Sequence, residues 1–554
     1  MGNIDIYCEN TGTQKSYPLG TTLAEIRDDL QINLKNPVCG AIVNNKVKEL
    51  SFIVVKSKRV RFIDYSHPDG RRLYIRSLLF LLYAAIRETM PQVKMRIPNA
   101  ISQGYYCELP GLGRDITSSD IFEIKNEMLN WVSKNLPFEK KGIPTEDAVE
   151  ELEKQGLEEK AKLFEQQGTL FSYLYFLGPY ANYFYGHHVP SSGYLTRFDL
   201  VPYCDGLLLR VPKTGNFNEL NEIEEQPKLF GIFKEHKKRA KLMNVPNLGM
   251  LNEYILDGKG GDIIKISEAL HEKKIVEIAN VIDSRRNEVK LILIAGPSSS
   301  GKTTFSKRLS VQLAVNGITP HMISLDDYFV AREQTPLDEH GNYDFEALGA
   351  VDIEFFNQQL LLLFAGEEVE LPRFSFLLGR REASGQKLQL GEGHLLIVEG
   401  IHGMNPKLIP GIDETKSFKI FLSALTQVSI DDQNHISTTD NRLLRRIIRD
   451  SKYRGYSASE TIKRWPSVKN GEERNIFPYQ ENADVMFNSA LIYELAVLKK
   501  YAEPLLKAVP ESMEEYCEAN RLLKFLGYFQ HLDDNEIPPT SLIREFLGGS
   551  SFKY

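Results

Sequence analysis

Eight consecutive residues, Gly296-Pro-Ser-Ser-Ser-Gly301-Lys302-Thr303, have the spacing of a phosphate-binding loop. Glycines in such a loop let backbone N–H groups wrap a polyphosphate, the lysine reaches the β/γ-phosphates, and the threonine hydroxyl is placed for Mg²⁺. The candidate nucleotide contacts are Gly296, Ser298, Ser299, Ser300, Gly301, Lys302, Thr303 and Thr304. The flanks suit the task. Lys290 precedes five apolar residues, the pattern of a strand buried on both faces, and Phe305, Leu309 and Leu313 then recur every four residues up to Gly317. Strand, glycine loop and helix together predict a bound nucleoside triphosphate, here ATP with Mg²⁺.

Two further apolar runs end in acids. His321-Met-Ile-Ser-Leu325 delivers Asp326-Asp327-Tyr328-Phe329, and Leu395-Leu-Ile-Val398 delivers Glu399. Ligands of open α/β sheets bind beyond the carboxyl ends of the strands. Asp326 is therefore a candidate base for an attacking alcohol, and Glu399 a candidate Mg²⁺ ligand beside Thr303. An N-cap aspartate and a plain strand-end acid are the competing readings. Downstream, Arg442, Arg445, Arg446 and Arg449 share one helical face while Leu443, Leu444, Ile447 and Ile448 share the other. Four stacked guanidinium groups suit a lid over a polyanion; a solvated basic face is the alternative, with Asp440 and Asp450 offsetting part of the charge.

These residues need elements to hold them. The chain has 554 residues, 42% hydrophobic and 25% charged, with a net charge of −7. That length calls for several domains, and the balance gives no global reason to expect nucleic-acid binding. No apolar run approaches the roughly twenty residues of a membrane span. The five cysteines are scattered, which points to reduced thiols, and the absence of a signal-like start points to a cytoplasmic protein. The first 64 residues read as short strands (4–8, 14–17, 41–43, 47, 52–55) around a helix opened by the capping box Thr22-Leu-Ala-Glu25, a β-grasp pattern. Residues 65–215 mix helices at 76–87, 119–136 and 145–167 with glycine-, proline- and tyrosine-rich loops in an α+β unit. Residues 216–287 read as an irregular connector to about 262 and then a helix over 267–285. From 288 to 505 strands and helices alternate, as a doubly wound parallel α/β sheet demands, and 506–554 reads as a helix with an extended, frayed tail.

Taken in order, the loop at 296–304, Asp326–Phe329, Asn342-Tyr-Asp344, Pro372-Arg-Phe-Ser-Phe376, Glu399-Gly400 and the arginine helix resemble the uridine/cytidine kinase and phosphoribulokinase family. The resemblance implies a kinase in which Asp326 serves the nucleoside hydroxyl, Asp344 holds ribose hydroxyls and Phe374 lies near the base. Lys302, Arg446, Arg449 and Arg454 would stabilise the moving phosphoryl group, and Tyr328 would join the acceptor side. At the position where uridine kinases usually have a base-contacting histidine, this chain has Gly379. His402 is the candidate substitute, against the reading of an ordinary loop residue.

Residues 1–64 resemble the β-grasp domain of threonyl-tRNA synthetases, and 65–215 their editing domain, most clearly at Gly186-His-His-Val-Pro-Ser-Ser-Gly193. His188 fits one histidine of the editing set, but Phe184 stands at the cysteine position and the helix from Tyr74 has no histidine pair. This half therefore reads as a binding, oligomerising or regulatory module, or as packing alone, and self-association stays open. The run His236-Lys-Lys-Arg-Ala-Lys241 is the lesser hint of RNA, because no aromatic interleaves it. The expected activity is phosphorylation of a nucleoside hydroxyl, that of uridine or cytidine. The alternatives are a kinase for a sugar, sugar phosphate or other small alcohol, and an ATP-gated RNA-binding or signalling protein.

Overall fold

The computed structural model describes residues 2–338, 341–375 and 378–554, the Lys241 side chain excepted. In the C-terminal half, β1 (Leu291–Ala295), β2 (Thr319–Ser324), β3 (His394–Glu399), β4 (Ser417–Ser423) and β5 (Val485–Asn488) form one parallel sheet in the order β2-β3-β1-β4-β5. All five residues of β1 are buried because both faces of the sheet are covered. Ile292 and Ile294 pack with Phe305 and Leu309 of the helix Lys302–Val315 and with Ile275 and Ile282 of the helix Gly260–Ser284. Leu291 and Leu293 share the opposite core with Phe356 and Leu360 of the helix Ile353–Phe364. The doubly wound α/β architecture expected from alternating apolar runs is the one observed. A third core gathers the arginine helix Thr438–Tyr453 and the helices Ala458–Asn475, Glu494–Lys507 and Tyr516–Leu526.

The first 64 residues form a five-stranded sheet flanked by the helix Leu23–Asp29, whose capping box between Thr22 and Glu25 is complete. One strand differs from expectation. The stretch 52–55 contributes only a bridge from Ile53 to Thr22, and the central strand is Lys58–Asp64, parallel to Asn3–Cys8. Lys58, Arg59 and Arg61 disguise it in the sequence: Arg59 and Arg61 face away from the core that Val60 and Phe62 fill, and Lys58 opens the strand only partly buried. The following α+β unit winds two small sheets around the helix Pro68–Thr89. The single helix expected over 145–167 is two, Thr145–Lys154 and Glu158–Gln167, separated by Gly156 at φ +71°. Nor is the connector irregular, for it contains the helices Pro227–Leu242 and Leu248–Leu256.

The two halves are packed and ion-paired together. Arg72 bridges to Glu518 at 3.0 Å, Glu518 pairs with Arg521, and Arg521 reaches Asp440 in the first turn of the arginine helix at 2.7 Å. The basic run at 236–241 is largely spent in the same way. His236 is buried against Asn488, Lys237 pairs with Glu108 and Arg239 with Glu235.

Candidate active site

The phosphate loop leaves the buried end of β1 and turns sharply into the helix Lys302–Val315. Gly301 supplies the left-handed N-cap at φ +86°, and a Cβ on Gly296 would lie 2.2 Å from the Leu422 carbonyl of β4. Only glycine fits at 296, which brings the loop backbone close to the sheet and aims its N–H groups outward. The hydroxyls of Ser299 and Ser300 are buried without a hydrogen-bond partner. Such orphans are costly in a folded protein, and a phosphate oxygen would satisfy them. Thr303 Oγ1 donates to Glu399 Oε1 at 3.1 Å, and Ser324 at the end of β2 approaches the same oxygen. A hydroxyl from the start of the loop helix and a carboxylate from a strand end thus meet at one point, a hard oxygen pair suited to Mg²⁺.

Lys302 folds back on its own loop, donating to the carbonyls of Gly296 at 3.0 Å and Pro297 at 3.3 Å. Asp326 lies on the 3-10 turn Leu325–Tyr328 directly after β2; its carbonyl accepts from the Phe329 N–H, and its carboxyl makes no hydrogen bond among the described residues. Burial raises its carboxyl above the usual range, while the charges of Lys302, Arg454 and Arg449 pull it back. Glu399 is pushed up to about 7 by burial, opposed by Lys302 and reinforced by Asp326 and Glu545. Glu399 is therefore poised to change protonation near neutrality, with Asp326 and Lys302 in electrostatic reach of it.

The arginine helix divides into two parts. Arg442 and Arg445 are buried, and neither is free for a ligand: Arg442 pairs with Glu472 and Arg445 with Glu494 at 2.6 Å. Both also donate to the loop, Arg442 to the Ser298 carbonyl at 3.1 Å and Arg445 to that of Ser299 at 3.3 Å. Glu472 completes the brace by accepting from the Ser298 N–H at 2.9 Å. The expectation that all four guanidinium groups await a polyanion is thus corrected; internal carboxylates from distant helices neutralise two of them. Arg446 reaches the Ser298 hydroxyl at 2.9 Å, and Arg446, Arg449 and Arg454 converge on Asp450.

The expected acceptor residues are spread more widely. Asp344 pairs with Arg474 at 3.8 Å and caps the Glu346 N–H. Tyr328 is buried and donates its hydroxyl to Gln359 at 2.7 Å. Phe374 is buried edge-on against Phe329, with its N–H on Asp327. His402 is buried, which lowers its pKa to about 4. Phe376 and Leu377 lie outside the described residues. Gly379 has φ +68°, and a Cβ there would meet the Arg332 side chain at 2.9 Å, so this turn opposes a histidine at that position. Two more acids, besides Glu472 and Glu494, escaped the sequence reading. Glu346 has a buried, unpartnered Oε2 and is raised to about 7 by burial and by Glu472, while Arg446 and Lys302 oppose. Glu545 hydrogen-bonds Thr304. Neither has a local motif that could have marked it.

In the N-terminal part, Ser77 meets His188 Nδ1 at 3.1 Å, and Phe138 stacks on the His188 ring at 5.2 Å. Phe80, Tyr175 and Phe184 complete an aromatic box around it. Burial, aided by Arg76, lowers the pKa of this histidine to about 3.

Two parts of the chain match different known proteins. Residues 291–493 match the model of the "Phosphoribulokinase / Uridine kinase family". The N-terminal part is similar to threonine–tRNA ligases. That of Polynucleobacter necessarius is 27% identical over 192 residues, which are 34% of this chain and 30% of the ligase. The Fusobacterium nucleatum ligase is 29% identical over 179 residues, 32% of this chain and 28% of the relative. The chain therefore spans less than a third of the length of these ligases. Among solved structures, a possible uridine kinase from Bacillus stearothermophilus is 20% identical, covering 36% of this chain and 89% of that one, with a TM-score of 0.25. A D-glycerate 3-kinase from Cryptococcus neoformans is 14% identical, covering 51% of this chain and 90% of that one, with a TM-score of 0.22. The loop and the sheet order give residues 291–493, the stretch that matches this family, a P-loop α/β architecture. No described helix is long and apolar enough to cross a membrane.

Proposed function

We propose that the protein transfers the γ-phosphoryl group of ATP to a hydroxyl of a nucleoside, uridine or cytidine first among them. The observation that carries this reading is the placement of Asp326: half-buried, its carboxyl without a hydrogen bond among the described residues, within the field of Lys302, Arg449 and Arg454 and in electrostatic reach of Glu399. A nucleotide switch has no use for a second, unpartnered acid there, whereas phosphoryl transfer to an alcohol needs a proton acceptor.

Mg²⁺, held by Thr303 and Glu399, would supply charge neutralisation on the phosphates. The chain's own residues do the rest. The loop N–H groups and the Ser299 and Ser300 hydroxyls fix the phosphates. Lys302 leaves its loop carbonyls for the β/γ-phosphates, and Asp326 orients the acceptor hydroxyl and takes its proton. Arg446, Arg449 and Arg454 face the charge on the transferred group, and Asp344 and Glu346 offer carboxylates to acceptor hydroxyls. Positioning and electrostatics account for the rate, with no covalent intermediate.

Gly379 favours a second reading with the same chemistry and another acceptor, a sugar, a sugar phosphate or another small alcohol, because the turn there opposes the usual base-contacting histidine. One assay separates the two: ADP release with ATP and Mg²⁺ across a panel of nucleosides, sugars and sugar phosphates. Stimulation by uridine or cytidine supports the first reading, stimulation by another alcohol alone replaces it with the second, and silence across the panel refutes both.

A further inference from the structure

The sequence predicts a frayed tail after the last long helix, yet the segment from Ser541 onward is packed against the phosphate loop. Ser541, Leu542, Ile543, Phe546 and Leu547 are buried. Leu542 lies against Gly301, the N-cap of the loop helix, and Phe546 lies under the Arg445 guanidinium at 5.0 Å. Three polar ties fix the segment. Ser541 hydrogen-bonds Glu268, Arg544 pairs with Asp534 at 3.0 Å, and Lys452 of the arginine helix donates to the Leu547 carbonyl at 2.5 Å.

These anchors place one carboxylate. Glu545 Oε2 accepts from the Thr304 N–H at 3.3 Å and from the Thr304 hydroxyl at 2.7 Å. The Tyr554 hydroxyl covers the same Thr304 hydroxyl from the other side at 2.8 Å. Thr304 is the third residue of the loop helix, where backbone N–H groups lack intrahelical partners and attract anions. A nucleotide bound on this loop would put a phosphate against those same donors. Two anions cannot share them, and Glu399 already stands within the field of Glu545.

We propose that Glu545 is a built-in competitor of the nucleotide. Its carboxylate holds a phosphate position on Thr304, and the segment must release Thr304 for a nucleotide to seat. Phosphate affinity at the site is then set by the difference between the incoming phosphate and a tethered carboxylate, not by the loop alone. Lys452 and Arg445 tie the same segment to the arginine helix, so nucleotide entry and the position of that helix are linked.

This inference rests on the nucleotide-site reading above, and ADP is the probe for both. Calorimetry on the full chain compares wild type with Glu545→Gln, which keeps the side-chain shape and removes the charge. The variant should bind ADP roughly tenfold more tightly, the worth of one charge-assisted hydrogen bond. A second measurement needs no variant: amide exchange of residues 541–554 in the wild type should speed up when ADP is added. If Glu545→Gln binds no tighter, or if ADP slows exchange in this segment, the inference fails while the nucleotide site stands. If the wild type binds no ADP, both fail.

Discussion

Around His188 the chain has enclosed a polar side chain in aromatic rings; around Lys302 it has enclosed several polar side chains in one another. The first enclosure is Phe80, Phe138, Tyr175 and Phe184, with Ser77 on one ring nitrogen, and it leaves the imidazole neutral. The second brings Asp326, Glu399 and Glu346 near Lys302 and Arg446, raises all three acids, and leaves the Ser299 and Ser300 hydroxyls unpartnered. Both sites are desolvated. Desolvation by rings yields a packing element, whereas desolvation beside unbalanced charges and orphaned donors yields a place where a ligand completes the structure. By this criterion the aromatic box around His188 is packing, and the charged enclosure around Lys302 is the candidate ligand site.

The comparison breaks most visibly at Lys302. Lys302→Ala should lower kcat by roughly a thousandfold, about 4 kcal/mol, with the melting temperature unchanged. Near-normal turnover would remove the charged enclosure from the reaction. Next in size, Arg445→Met strands Glu494 in the core and should cost about 3 kcal/mol in urea unfolding. Replacing both partners by apolar residues should recover most of that loss. On the other side, His188→Ala removes a packed ring and should cost about 2 kcal/mol of stability while kcat stays within about twofold. A large fall in kcat with stability intact would turn the aromatic box back into a functional site.

The smallest effect follows pH. Glu399 and Glu346 titrate near 7 in the folded protein, against an ordinary glutamate value of 4.5. The folded state therefore holds protons that the unfolded state has released, so this contribution is full below 4.5 and is lost as pH rises toward 7. Without Mg²⁺, the melting temperature should drop by a few degrees between pH 5 and pH 8. Added Mg²⁺ should restore more of it at pH 8, where Glu399 is ionised. Equal Mg²⁺ stabilisation at both pH values would remove Glu399 from the metal site.

What could be read in advance follows from how local each signal is. The loop and Glu399 announce themselves because each follows a continuous buried strand, and the sheet follows from the same runs; Asp326 instead follows the edge strand β2, expected to be buried but with only Ile323 buried. The strand Lys58–Asp64 stayed hidden because outward arginines interrupt its apolar alternation. Glu472, Glu494 and Glu545 stayed hidden for another reason. None belongs to a recognisable motif, and each has a role only once the chain brings it to Arg442, Arg445 or Thr304. The arginine face was visible, but the partners that divide it were not.

That division has a mechanical consequence. Through Arg442 and Arg445 the first half of the arginine helix is riveted to the carbonyls of the very loop it would have to approach. Its start is held as well, by Asp440 on Arg521. A stroke of this helix as a rigid lever would tear two buried ion pairs from the core. Were this region to close on a ligand, the part left to move would be the turn beyond Arg449, where Gly455 has φ +70°. Arg454 would then swing as a short flap on a fixed beam.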